Sequence, residues 1–263
     1  MGPYKSAVEP YILDKMSKPN REQITSFLGS LYTHFLSNIA ISRKIPVDSL
    51  SAIANTAAVQ TATDAVKFRL VDGVKYKDEV LTELKSLCGI AQKKELRSVS
   101  ISDYTPQSKE LSKASADRIA VVYAVGEIVS GEGDDETMGS ENIYRAIRTA
   151  RLDDKVKALV LRINSPGGSS LASDVIWREV ELTKKVKPVI VSMGDVAASG
   201  GYYIACAADS IFAQPNTITG SIGVFAIIPN MKKFFNNKLG ITFDEVKTSK
   251  FSEISITRPL SDD

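Results

Sequence analysis

The chain has 263 residues, of which 43% are hydrophobic and 24% are charged, a balance typical of one large globular domain or two small ones. Its formal net charge of +2 comes from 33 basic and 31 acidic side chains that are interspersed, which argues against a nucleic-acid-binding surface. A single histidine, and two cysteines outside any C-x-x-C motif, argue against a zinc site. We therefore expect no metal and no cofactor, and we expect Cys88 and Cys206 to be buried as small apolar residues.

Residues 1–90 are predicted to be mostly helical. Apolar residues recur at three- and four-residue spacing from Ile24 to Ile39, which indicates one face of an amphipathic helix. Pro46 ends this helix and starts another, and a last helix precedes Gly89. Residues 91–117 are polar and aperiodic, and we interpret them as a linker.

The pattern changes at Arg118. From here, apolar runs rich in β-branched residues alternate with helical segments, which predicts βαβ units and a mostly parallel sheet covered by helices. The predicted strands are 119–125, 156–163, 189–192, 211–213 and 241–247, and the predicted helices are 142–151, 171–186, 199–208 and 229–239. In such folds, functional groups gather at the turns that follow the strands.

Two of these turns are rich in glycine and other small residues. Residues 194–205 (GDVAASGGYYIA) place Ser199 between a strand and a helix, where unpaired backbone N–H groups favour developing negative charge. Residues 162–169 (RINSPGGS) form a turn whose N–H groups can approach a ligand closely. Either segment alone is typical of an ordinary tight turn. Together, at the ends of adjacent βα units, they indicate an active site with Ser199 as nucleophile.

A nucleophilic serine needs a base, and this sequence offers few. The single histidine, His34, lies on the apolar helix of the N-terminal segment, where no neighbouring motif supports a Ser-His-Asp triad. A lysine amine can replace histidine if it is neutral. Lys5 and Lys250 stand out because each follows an extended segment and precedes small or polar residues.

Three segments resemble the signal peptide peptidase A family, also called protease IV: 164–168 (NSPGG), 197–202 (AASGGY) and 219–223 (TGSIG). Residues 4–10 (YKSAVEP) resemble the lysine segment of its long, tandem-duplicated form. The resemblance covers essentially the whole chain. It implies an α/β fold, namely a ClpP/crotonase-like βαβ superhelix with an N-terminal helical segment from the preceding repeat. On this basis residues 1–90 would end the first repeat, 91–117 would link the two, and 118–263 would begin the second, inside a longer protein.

The resemblance also implies a serine peptidase with a Ser/Lys dyad. Ser199 matches the nucleophile, Lys5 the general base, and Ser221 the hydroxyl that orients the lysine amine. We expect Lys5 to be buried between the two repeats, because burial favours a neutral amine. Lys250 is the alternative base, since unduplicated relatives carry their lysine downstream of the serine. The sequence around Lys5 matches the family segment better.

The oxyanion hole implied by the resemblance is formed by backbone N–H groups. Those of Gly167 or Gly168, together with that of Gly200, match the donors that stabilise the charged oxygen.

The family further implies a peptide substrate, a location and an assembly. The substrates would be remnant signal peptides and other hydrophobic peptides, cleaved by a homo-oligomer that is a tetramer at full length, with no nucleic-acid partner. The catalytic part would face the periplasm at the bacterial inner membrane, anchored by a segment outside this chain. Two alternatives stay open: an acyl-CoA hydratase or isomerase of the crotonase type, and a non-catalytic scaffold of the same fold.

Overall fold

In the computed structural model of this chain, the described residues are 2–100, 116–134, 136–244, 246 and 255–259. The chain divides into two compact units, a smaller one of Met1–Thr25 and Ile222–Asp263 and a larger one of Ser26–Ser221. Within the described ranges, no helix combines the length and the apolar character needed to cross a bilayer. The division into an end and a start of two repeats stays a prediction.

The smaller unit contains short helical segments. A 3-10 turn (Ser6–Val8) leads into α1 (Glu9–Ile12), and α9 (Lys232–Phe234) continues as a π-helical turn (Phe235–Leu239). The Glu9 carboxylate accepts hydrogen bonds from the N–H and hydroxyl of Ser17 and from the Asn20 amide, which ties α1 to the start of the next helix. These bonds, led by that of the Ser17 side chain, lower the pKa of Glu9. Residues 241–244 are not in a strand, so the start of the strand predicted there is wrong.

Four further helices precede the sheet, as predicted for the N-terminal part of the chain: α2 (Lys18–Arg43), α3 (Val47–Asn55), α4 (Ala62–Lys67) and α5 (Lys77–Leu87). Leu36, Ile45 and Leu50 form a small buried cluster in the larger unit. Leu28 and Phe35 of α2 are exposed, so only part of the predicted apolar face is buried.

Both cysteines are exposed, and the expectation that they are buried is wrong. Cys88 directly follows α5, and Cys206 directly follows the helix of residues 200–205.

A parallel sheet forms the centre of the larger unit. Its strands are β1 (Arg118–Val125), β4 (Val156–Ser165), β5 (Val189–Ala198), β6 (Ser210–Phe212) and β7 (Ile218–Gly220). The strand order is β1-β4-β5-β6, and β7 pairs with the last residues of β5. A second parallel pair consists of β2 (Glu127–Val129) and β3 (Thr137–Gly139). This arrangement confirms the predicted α/β fold with a parallel sheet.

Three helices pack on one face of the sheet: α6 (Ser140–Leu152), α7 (Ser170–Lys184) and α8 (Gly200–Ala205). Alternate residues of β4, such as Leu159, Leu161 and Ile163, are fully buried there. Burying each of these side chains contributes about 1.5–3 kcal/mol. On the opposite side, Val121 and Tyr123 of β1 are exposed, so the described part of the chain does not cover that side of β1.

Candidate active site

In the larger unit, the segments 164–168 and 197–202 meet residues 218–220 at the carboxyl ends of adjacent strands. Ser165 of β4 pairs in register with Ala197 of β5, and Ala197 pairs with Thr219 of β7. The Thr219 hydroxyl donates a 2.8 Å hydrogen bond to the carbonyl of Ala197. The strand register therefore brings together segments that lie far apart in sequence.

Ser199 occupies a sharp turn between β5 and α8. It is the residue before the helix rather than its first residue, and its backbone has φ 52° and ψ −117°. Its N–H donates to the carbonyl of Gly220 at 2.8 Å, and its own carbonyl accepts from the N–H of Tyr203 at 2.9 Å. A non-glycine residue in this conformation carries about 1–3 kcal/mol of strain and persists only where its surroundings hold it, as at functional sites.

Gly167 packs directly against this turn. A Cβ atom on Gly167 would lie 2.6 Å from the backbone nitrogen of Gly200 and 2.9 Å from the carbonyl oxygen of Ala198. Gly201 is equally constrained, because a Cβ there would lie 2.7 Å from the carbonyl oxygen of Ser165. The two turns expected to be neighbours are therefore in contact, and glycine at both positions permits that contact.

Hydrogen bonds fix most of the backbone of the 165–169 turn. The N–H of Gly167 donates to the Ser165 hydroxyl at 3.1 Å, and the carbonyl of Gly167 accepts from Ile128 at 2.8 Å. The N–H of Ser169 donates to the carbonyl of Ile128 at 2.8 Å. Within the described residues, the N–H groups of Gly168 and Gly200 have no acceptor. Of the glycines considered for an oxyanion hole, Gly168 and Gly200 are therefore the free donors, whereas Gly167 is engaged.

A pair of aromatic residues links α8 to α7. The Tyr203 hydroxyl donates to the Asp174 carboxylate at 2.7 Å, and the Tyr203 ring stacks on Trp177 with centroids 5.7 Å apart. The hydrogen bond to Asp174 raises the pKa of the Tyr203 phenol. The helix that follows Ser199 is thus tied by side chains to the helix that follows the Gly167-Gly168 turn.

The predicted lysine base lies in the smaller unit. Lys5 is exposed, and its amine donates to the carbonyl of Ile222. Residues 2–5 are all exposed in this chain. The burial of Lys5 expected between two repeats concerns the longer protein and stays a prediction. Lys250 lies outside the described residues. Ser221, the last residue of the larger unit, is exposed and has φ 52°.

The lone histidine is part of a helix surface. His34 is half-buried on α2, and its Nε2 lies 3.1 Å from the amide nitrogen of Asn38, one turn further along. Among the residues that the structure describes, no three metal-binding side chains cluster.

Two family models match the chain. The model of peptidase family S49 matches residues 1–91 and 181–263, and that of Clp protease matches residues 110–219. The second match, together with the parallel sheet, confirms the predicted ClpP-like fold.

Three similar relatives match almost the whole chain. Protease 4 of Salmonella typhi is 38% identical, with 99% of this chain and 43% of the relative covered. Protease 4 of Haemophilus influenzae is 36% identical, with 99% and 44% covered. The chloroplastic serine protease SPPA of Arabidopsis thaliana is 35% identical, with 99% and 39% covered. The chain thus spans less than half the length of these relatives.

Proposed function

This chain belongs to peptidase family S49, and on that premise we propose that it carries the nucleophile of a serine peptidase, Ser199. The observation that carries the proposal is the strained turn at Ser199, with φ 52°, packed against Gly167. Beside this turn stand two N–H groups without an acceptor among the described residues, those of Gly168 and Gly200. Such donors stabilise the charge that develops on a carbonyl oxygen during acyl transfer.

The proposed reaction is a two-step acyl transfer. A neutral lysine amine takes the proton of the Ser199 hydroxyl, the oxygen bonds to the peptide carbonyl carbon, and the carbonyl π electrons move to its oxygen. The N–H groups of Gly168 and Gly200 bind that oxyanion. The C–N bond then breaks, and the leaving amine takes the proton from the lysine ammonium. The lysine amine then deprotonates a water molecule, which attacks the ester carbonyl carbon. The bond between this carbon and the Ser199 oxygen breaks, the Ser199 oxygen takes the proton from the lysine ammonium, and the acid is released.

Lys5 is our preferred base, and two hydrogen bonds support it. In the larger unit, the N–H of Ser199 donates to the carbonyl of Gly220. In the smaller unit, the Lys5 amine donates to the carbonyl of Ile222. Along the chain, only Ser221 separates Gly220 from Ile222. This position fits the proposed role of Ser221, whose hydroxyl would orient the Lys5 amine. Lys250 remains the alternative.

The finer features of function follow from the family resemblance and are also proposals. We propose that residues 1–90 and 118–263 belong to successive repeats of a longer protein, which fits the two separate segments that match one family model. The substrates would be hydrophobic peptides, including remnant signal peptides, and the longer protein would be a homo-oligomer at the periplasmic face of a bacterial inner membrane. A crotonase-type reaction has no comparable support.

The test is covalent labelling of the full-length protein with a biotinylated fluorophosphonate, which reacts with activated serines. We expect labelling at Ser199, located by peptide mapping, and none in Ser199→Ala. Ser210→Ala, which removes an exposed hydroxyl on β6, is the matched control and should label normally. If the wild-type protein folds and assembles but does not label, it is a non-catalytic scaffold and the proposal is wrong.

A further inference from the structure

Ile128, in the middle of β2, contacts both turns of the proposed oxyanion site. It is 1% exposed. Its backbone N–H donates to the carbonyl of Gly167, and its carbonyl accepts from the N–H of Ser169, each at 2.8 Å. Its Cδ1 lies 3.1 Å from the position that a Cβ on Gly200 would occupy. One residue therefore meets the segments that carry both free N–H groups.

We propose that Ile128 is a positioning residue that sets the separation between the Gly168 and Gly200 donors; this inference rests on the proposed peptidase function. No signal in the sequence distinguished it, because Ile128 stands in a three-residue strand and resembles any other core residue.

The backbone of Ile128 orients the first donor. Because Ile128 pairs with Gly168 as parallel neighbours, the carbonyl of Gly167 and the N–H of Ser169 both point towards β2. The N–H of Gly168 points to the other side, where it has no acceptor within the described residues. The backbones of Gly168 and Ile128 are too close for a side chain at position 168, since a Cβ on Gly168 would lie 2.7 Å from the nitrogen of Ile128.

The side chain of Ile128 seats the second donor. The first residue of α8, Gly200, lies against the Ser173 hydroxyl oxygen, Ile128 Cδ1 and the Cα of Gly167, the last two at 3.1 and 3.3 Å from a Gly200 Cβ position. Shortening the Ile128 side chain removes part of this support from the start of α8, while the backbone bonds that hold Gly168 remain. The distance between the two donors then changes, and oxyanion stabilisation depends on donors placed within a few tenths of an ångström.

The experiment compares two ligands of one peptide sequence bound to the full-length protein: an aldehyde, which forms a tetrahedral adduct with Ser199, and the corresponding alcohol, which does not. Ile128→Val removes the contacting Cδ1 atom, and Ile128→Ala removes more. Ile147→Val and Ile147→Ala are the matched controls, because Ile147 is fully buried on α6. We expect Ile128→Ala to lower the ratio of aldehyde to alcohol affinity about tenfold, part of the 10²–10³ that losing a donor costs.

A merely structural role would lower the thermal midpoint and leave this affinity ratio unchanged, as we expect for the Ile147 variants. An unchanged ratio in both Ile128 variants overturns the inference. If Ile128→Ala does not fold, Ile128→Val decides, with a ratio lowered about threefold expected for this smaller change. The ratio in Ser199→Ala separates the two proposals: an aldehyde preference that survives this substitution overturns the peptidase proposal, and the inference with it.

Discussion

Gly167 and Ser199 are in such close contact that a Cβ atom on Gly167 would lie 2.7 Å from the Cβ of Ser199. Real Cβ atoms do not approach other atoms this closely, so the backbone of one turn fits against the side chain of the other only because residue 167 is glycine. The turn after β4 and the turn after β5 therefore cannot shift independently of one another.

A methyl group at position 167 should damage both stability and activity. In Gly167→Ala the new Cβ must displace the Ser199 turn, and φ 102° is also unfavourable for alanine. We expect the free energy of unfolding to fall by about 3 kcal/mol or more, with loss of fluorophosphonate labelling. Gly131→Ala is the control: Gly131 has φ 86° but open space around it, so strain without a clash should cost about 1–2 kcal/mol. Equal losses in urea unfolding would show that the close contact is unimportant.

Because the backbone at Ser199 is strained, Ser199→Gly should be more stable than Ser199→Ala. Glycine adopts φ 52° without strain but loses more chain entropy on folding, so Ser199→Gly should exceed Ser199→Ala in stability by about 0.5–1 kcal/mol. Neither variant should label. Ala57→Gly, at φ 48°, should gain stability similarly while labelling remains normal. A Ser199→Gly protein no more stable than Ser199→Ala would argue that the turn is unstrained in solution.

The pH–rate profiles of lysine variants should identify the base. An amine accepts a proton only when neutral, so kcat/KM of the full-length enzyme should rise towards alkaline pH. We expect Lys5→Ala to lower turnover by about 100-fold or more at every pH measured, and Lys250→Ala to retain the wild-type profile. If Lys250→Ala abolishes turnover and Lys5→Ala does not, the assignment of Lys5 is wrong and both catalytic residues lie in the second repeat.

His34 should be dispensable. It lies on α2 and pairs with Asn38 of the same helix, so a glutamine can keep a hydrogen bond on that surface. We expect His34→Gln to retain activity within about twofold, well inside the effect of removing a general base. A loss of about 100-fold in a protein with an unchanged thermal midpoint would instead favour a histidine mechanism.

The loop between β2 and β3 should give the fold a measurable acid sensitivity. The Asp134 carboxylate accepts hydrogen bonds from the Thr137 hydroxyl and from the N–H groups of Glu136 and Thr137. These bonds, the hydroxyl's foremost, lower the pKa of Asp134. A lowered pKa means that the ionised group stabilises the fold above its unfolded pKa of about 3.9, and that this stabilisation is lost as the pH falls through the folded-state value.

The measurement is the free energy of unfolding of wild type and Asp134→Asn across this acid range. The difference between them should be constant near neutral pH and should shrink below pH of about 4. A difference that stays constant down to pH of about 2.5 would contradict the proposed stabilisation.

The sequence alone predicted the strands and helices that have a regular spacing of apolar residues. It missed the part of a strand that depends on pairing with a distant segment. The long strands β1 and β4 and the helices α6 and α7 lie close to their predicted positions, because each buries a continuous apolar face. The prediction ended β5 at Ser192, but the strand continues to Ala198 through a segment of small residues. That extension exists because Val196–Ala198 pair with β7, a partner that no local pattern reveals.

The candidate site divides in the same way. Glycine spacing was enough to place the segments around Gly167 and Ser199 next to each other. It could not show which glycine N–H is free, since that depends on the Ser165 hydroxyl and on Ile128 of a strand too short for periodicity. Nor could it show that Lys5 is exposed, because exposure depends on what packs against a segment rather than on the segment itself.

The hydrogen bond from the N–H of Ser199 to the carbonyl of Gly220 also has a consequence for folding during synthesis. A ribosome makes Ser199 before Gly220, which accepts the Ser199 amide proton and is the last residue of β7, the strand that completes the pairing beside the turn. The strained turn thus lacks this hydrogen bond until Gly220 has left the exit tunnel. A nascent chain that stalls earlier contains Ser199 without the Gly220 hydrogen bond and without the pairing of β5 with β7.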